Sequence, residues 1–118
     1  MGLFSKLFGA RKAVGEDPPK QAVIVHFFYG STNLQHVYAL GDSLRIAISE
    51  AAAGEYDGYE VADDGSDGYY YLDGPDAEVL FRVIQPVLAA SSFMHDATVT
   101  LRFGPEKRKT PKRLIKLP

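Results

Sequence analysis

Three histidines, His26, His36 and His95, are the side chains of this 118-residue chain best placed by type for proton transfer or metal binding near neutral pH. A helical metal pair needs histidines four residues apart, and none of these spacings fits. The chain has no cysteine, which excludes a thiol nucleophile, a zinc–thiolate or iron–sulfur site and a disulfide. No recognisable nucleophile motif accompanies the histidines, so a triad through His26 or His36 is the least favoured reading. Glycine-rich phosphate cradles are missing in both their dinucleotide and P-loop forms. The acidic run Asp63-Asp64-Gly65-Ser66-Asp67-Gly68 has the oxygen atoms of a calcium loop but not their spacing. Counted from Asp63, Gly65 falls at the third ligand position and Gly74 at the twelfth. The expectation is a protein with no catalytic, metal or cofactor residues, and with no cofactor.

What the residues do offer is surface. Charge is unevenly distributed: from Gln21 to Pro105, twelve acidic side chains oppose three basic ones, a net of −9, within a chain whose total is −2. The positive charge is concentrated in the first twenty and last thirteen residues. This predicts an acidic folded module with a basic strap at each end. Its length suits one domain with a genuine core.

Residues 1–20 read as an arm that ends in the linker Glu16-Asp17-Pro18-Pro19-Lys20. Leu3, Phe4, Leu7 and Phe8, with Lys6, Arg11 and Lys12 nearby, suit weak contact with an anionic surface or cover for an apolar face. Lys6 breaks the apolar start and stands where a myristoylation signal has Ser or Thr, so neither export nor lipid anchoring is expected. No apolar run approaches the roughly 20 residues that span a bilayer. Together with the absence of cysteine, this points to a cytoplasmic protein.

From Ala22 to Tyr29 a nearly continuous apolar, β-branched and aromatic run predicts a central strand covered on most of both faces. Gly30-Ser31-Thr32-Asn33 ends it and offers helix caps. Val37, Leu40, Leu44, Ala47, Ile48 and Ala51 then recur at helical spacing. Gly41 interrupts them and allows a start as late as Asp42, and Gly54 is the natural stop. Glu55 to Ala62 and Tyr69 to Leu72 read as a hairpin around the acidic turn. Gly74-Pro75-Asp76 opens a second helix, with Pro75 at its first position and Pro86 within it. Ala97 to Phe103 alternates as a strand, and within the basic tail, 106–118, Leu114 to Leu117 has the character of a short edge strand.

The order strand, helix, strand, strand, helix, strand over 21–105 predicts an α+β ferredoxin-like βαββαβ sandwich. Two helices would cover one face of a four-stranded antiparallel sheet and leave the other open. Alternate positions on the two central strands place Ile24, His26 and Phe28 beside Tyr69 and Tyr71 on that open face. Gly68-Tyr69-Tyr70-Tyr71 resembles part of the third-strand motif of RNA-recognition modules. That motif begins with Lys or Arg, whereas this chain has Asp67, and an acidic hairpin repels a polyanion, so nucleic acid is not an expected partner of the sheet. The loop before the first helix resembles, in its topology, the ligand loop of ACT-type regulatory domains. That resemblance implies a small ligand near Ser31, Thr32, Asn33 and His36.

Gly54-Glu55-Tyr56-Asp57-Gly58, Leu72 to Ala77, Pro86-Val87-Leu88 and Leu101 to Pro105 resemble segments of a family of small uncharacterised bacterial proteins. The resemblance implies a fold and a cytoplasmic location, and no activity. The leading expectation is a non-enzymatic interaction module whose partner is another protein or a second copy of itself. Its candidate surface comprises His26, Phe28, Tyr69 and Tyr71 with Asp63, Asp64 and Asp67. The alternatives are an ACT-like regulatory domain and an immunity-type inhibitor steered by charge onto a basic toxin.

Overall fold

Val23, Val25 and Phe27 are wholly buried, while the residues between them are only partly covered. That alternation is the signature of a strand with one face against a core. In the computed structural model, which describes residues 20–118, this strand is β1 (Gln21–Phe28). It is followed by α1 (Gln35–Ala51), β2 (Glu55–Val61), β3 (Asp67–Gly74), α2 (Ala77–Ala89), a short 3-10 turn (Ser92–Met94), β4 (Thr98–Arg102) and β5 (Lys112–Lys116). The fold is α+β, and the described strands form a five-stranded antiparallel sheet in the order β2-β3-β1-β4-β5.

The sandwich was expected to have four strands, with Leu114 to Leu117 a candidate edge strand; the described residues form five, because the basic tail pairs with β4 from Thr98↔Lys116 to Arg102↔Lys112. Alternation explains why β5 adheres. Arg113 and Ile115 point toward α2, where Arg113 donates to Glu78 at 2.9 Å and lies 5.8 Å from the Phe103 ring centroid. Lys112, Leu114 and Lys116 point the other way. The amino-terminal arm, including Leu3, Phe4, Lys6, Leu7, Phe8, Arg11 and Lys12, lies outside the described residues.

Both helices contribute to one core with the buried face of the sheet. Val37, Leu40, Leu44 and Ile48 of α1 and Ala77, Leu80, Ile84 and Leu88 of α2 meet Val23, Val25, Phe27, Tyr70, Leu72, Val99 and Leu101. The helices therefore share one side of the sheet. β1 is not covered equally on both faces as its composition predicts, since its outer row ends in Phe28, which is 55% exposed.

Local details differ from expectation for identifiable reasons. Helix α1 runs through Gly41 because Val37, Leu40, Leu44 and Ile48 on either side bury one continuous stripe, and a Cβ at Gly41 would stand 2.6 Å from Tyr56 Oη, so the glycine accommodates the tip of that side chain. The helix ends at Ala52, which adopts the left-handed conformation (φ 51°). Gly54 serves another need: with φ +152°, it passes so close to the Asp73 carbonyl that no Cβ would fit. Pro75 lies just outside α2, and Asp76 is the cap, its Oδ1 accepting from the backbone N–H groups of Glu78 and Val79.

A β-bulge between Tyr56 and Tyr59 resets the parity of β2. Tyr56 pairs with Leu72 and Tyr59 with Tyr70, so both rings face the helices, and Tyr59 meets Tyr38 of α1 at 5.7 Å. The bulge sends Glu60 to the opposite face, beside Tyr69.

The contact between Gly41 and Tyr56 predicts non-additive stability. Gly41→Ala should be less favourable in the native background than in Tyr56→Phe, with a coupling of about 1 kcal/mol in a denaturation double-mutant cycle. Additive effects would show that the Tyr56 hydroxyl does not set the space above α1.

Candidate functional site: the open face of the sheet

Register alone assigns the outer face. Ile24 stands opposite Tyr71 and Thr100, His26 opposite Tyr69 and Thr98, and Ala22 opposite Asp73 and Arg102. Cross-strand partners share a face, so these residues and their continuations into β2 and β5 form three rows. From β5 to β2 they read Lys112–Arg102–Ala22–Asp73–Glu55, Leu114–Thr100–Ile24–Tyr71 and Lys116–Thr98–His26–Tyr69–Glu60.

At the centre, four rings form a ladder. His26 stacks on Tyr69 with centroids 4.5 Å apart, Tyr69 stacks on Tyr71 at 5.9 Å, and Phe28 meets the edge of His26 at 5.1 Å. Two of the four rings are held by carboxylates. His26 Nε2 lies 2.7 Å from Asp67 Oδ2, and the Tyr71 hydroxyl donates to Glu60 Oε1 at 2.5 Å. The hydrogen bond to Glu60 is the main reason that the Tyr71 phenol is pushed up to about 12. A carboxylate acceptor stabilises the neutral O–H and opposes a second negative charge beside it. Tyr70, between the two outer tyrosines, points inward, where its hydroxyl donates to the Val37 carbonyl at 2.6 Å and burial raises its pKa.

The candidate residues do not all converge. Asp67 is part of the ladder through His26. Asp64 belongs to the turn, where it accepts from the Ser66 backbone N–H at 2.9 Å, and hydrogen bonds from Ser66 hold its carboxyl below the usual range. Asp63 is exposed on the same turn. That turn docks on the loop before α1: Tyr29 N–H donates to the Ser66 carbonyl, and the Gly30 and Ser31 N–H groups donate to the Gly65 carbonyl. Gly65 has φ +73°, and a Cβ there would collide with the Ser31 carbonyl.

The loop Ser31-Thr32-Asn33 is consequently occupied with itself. Ser31 Oγ accepts from Asn33 N–H, Asn33 Oδ1 accepts from Gln35 N–H, and the Asn33 carbonyl accepts from the Tyr29 hydroxyl. His36 lies beyond it, on a groove of about 560 Å³ between the helices with Ser43, Ser91 and Ser92. His26 is on the other side of the sheet and His95 is exposed beside Asp96, so the three histidines occupy separate places. Among the described residues no group of three or more His, Asp or Glu side chains is arranged to hold a metal ion. No described helix is long and apolar enough to cross a membrane. No protein-family model matches the chain, and a search of curated proteins finds no significant relative.

Sequence reasoning missed Glu60 and the two edges of the face. The Glu60 contact depends on the bulge, which strand alternation does not announce. The signal for Lys112, Leu114 and Lys116 was their spacing of two. The acidic edge also perturbs Asp73: burial raises its carboxyl pKa, Lys20 at 3.9 Å partly offsets this, and Asp57 and Glu55 add to the rise.

Two titrations follow. Glu60→Gln should bring the Tyr71 phenol down toward the ordinary tyrosine range in an ultraviolet difference titration, and an unmoved titration would disprove the tether. Asp73 binds its proton more tightly folded than unfolded, so its charge opposes folding at neutral pH and ceases to do so in acid. Asp73→Asn should therefore raise the melting temperature at neutral pH, with the gain vanishing once the carboxyl is protonated. A gain independent of pH would reject this origin.

Proposed function

We propose that this protein is a non-enzymatic binding module that acts through the open face of a ferredoxin-like sandwich. In support of that fold, the sub-order β4-β1-β3-β2 places the β2–β3 hairpin as a split βαβ arrangement requires, with β5 as an extension. The observation that carries the functional reading is the ladder of Phe28, His26, Tyr69 and Tyr71, held in place by Asp67 and Glu60 although it lies outside the core. Rings fixed before contact lose little side-chain entropy on binding, and aromatic anchors dominate protein interfaces. The carboxylates of Asp67 and Glu60 beside the ladder disfavour phosphate and favour a protein surface over nucleic acid.

Two further observations weigh on the alternatives. Glu55, Asp57 and Glu60 give β2 an acidic edge, which suits charge steering of the kind an immunity-type inhibitor uses against a basic toxin. An ACT-like ligand at the loop before α1 is less favoured, because the Gly30 and Ser31 N–H groups already serve Gly65. The absence of cysteine is compatible with a reducing, cytoplasmic setting.

Phe28→Ser and Tyr69→Ser remove exposed rings and should change thermal stability little, whereas truncating buried Phe27 to Ala should cost about 3–5 kcal/mol. Affinity capture with the tagged full chain should recover a protein that both surface variants lose. Equal recovery by native protein and folded variants would reject the open face as the binding surface.

A further inference from the structure

The open face is electrically polarised across the strands. At one edge, β5 presents Lys112 and Lys116, while the β4–β5 connection brings Glu106 back to a small cavity on this face beside Ile24, Tyr71 and Asp57. At the other edge, β2 presents Glu55, Asp57 and Glu60. Arg102 on β4 and Asp73 on β3 repeat the same polarity one strand further in. The aromatic ladder and Ile24 occupy the middle, and Leu114, 68% exposed, adds an apolar residue on the basic side. β1 is the third of the five described strands, so the two charged edges are equidistant from it.

Resting on the binding-module reading, we propose that the partner of this face is a second copy of the chain, stacked face to face about a two-fold axis parallel to the strands and passing over β1. Such an axis exchanges the left and right halves of the sheet and keeps each row at its own height. Lys112 then meets Glu55 of the other copy, Arg102 meets Asp73, and Lys116 meets Glu60, each pair formed twice. Ile24 meets Ile24, His26 meets His26, and Thr98 and Thr100 lie over Tyr69 and Tyr71. The other two-fold axis in the plane, perpendicular to the strands, sets Lys112 against Lys116 and Glu55 against Glu60, like charge on like. Charge therefore selects one face-to-face arrangement and opposes the other. Aligned sheet packing, with a crossing angle of about 30°, accommodates it.

The patch is modest. Four strand spacings of about 4.8 Å by roughly 20 Å along the strands give about 400 Å² in projection for each copy. A standard interface removes about 800 Å² of accessible surface per partner, so the dimer is a reversible one, and weaker in high salt.

Sedimentation equilibrium of the full chain from about 1 μM to about 1 mM should show a monomer–dimer equilibrium that weakens as salt is added. Glu55→Lys with Glu60→Lys should abolish it, as should Lys112→Glu with Lys116→Glu. An equimolar mixture of these two double variants should restore a heterodimer, because every exchanged contact again joins opposite charges. Amide NMR of the native chain provides a check that needs no variant, with concentration-dependent shifts expected at Phe28, Tyr69 and Leu114. A monomer at every concentration, a mixture that fails to associate although both variants fold, or open-ended growth through the strand edges overturns the proposal. The two readings fail differently. A monomeric native chain that still captures another protein through Phe28 and Tyr69 removes only the second copy. A dimer that survives Phe28→Ser and Tyr69→Ser removes the open face itself.

Discussion

β1 and β3 pair residue for residue from Gln21↔Gly74 to Phe28↔Asp67, and that register decides the side of the sheet taken by each ring on these two strands. Phe27 and Tyr70 go under the helices, stacked 5.1 Å apart. Phe28, His26, Tyr69 and Tyr71 go to the outside. Because side chains alternate with period two, a one-residue slip of β1 would expose Phe27 and force His26 into an apolar core, and a one-residue slip of β3 would expose Tyr70 and force two tyrosine hydroxyls inward. Buried polar groups without partners are costly, so the register is enforced from both faces at once.

The remaining architecture protects this pairing. β1 is bonded on both sides, by β3 and β4, and cannot slide without breaking two ladders. The Tyr70 hydroxyl reaches the Val37 carbonyl and ties the strand to α1 at a fixed height. Gly65 brings the β2–β3 turn against Ser31, closing the end of the sheet where β1 leaves it. Gly54 and Gly74 allow the start of β2 to cross the end of β3. The bulge in β2 sets Tyr56 and Tyr59 on the helix side and Glu60 on the other, so the same irregularity packs Tyr56 against the core and tethers Tyr71.

The proposed binding surface is the face left over after folding. The core consumes the helices' apolar stripes and one side of the sheet. Outside it, His26 and Tyr71 are tethered to carboxylates and both stack on Tyr69, which orders these rings without hiding them. Charge is sorted by strand: basic on β5, acidic on β2. A surface arranged this way discriminates by orientation as well as by sign, since only one placement of an oppositely polarised partner satisfies both edges.

Much of this was legible in the sequence. The apolar run of β1, the helical stripe from Val37 to Ile48, the Asp-Gly-rich turn and the inward–outward split of Tyr69, Tyr70 and Tyr71 each follow from local periodicity and turn chemistry. Alternation on two adjacent strands was enough to assemble His26, Phe28, Tyr69 and Tyr71 on one face. Three features were not available to such reasoning. Gly41 accommodates the tip of Tyr56, fifteen positions along the chain, and a close approach across elements leaves no local trace. The parity of Glu60 depends on a bulge that inserts one residue against its partner strand. The sorting of charge across the open face depends on strand order, which places β5 and β2 at opposite edges although neither sequence specifies its neighbour. Periodicity determines which way a side chain points, because it is set by the backbone of its own strand. What that side chain stands beside is decided only when distant segments pair.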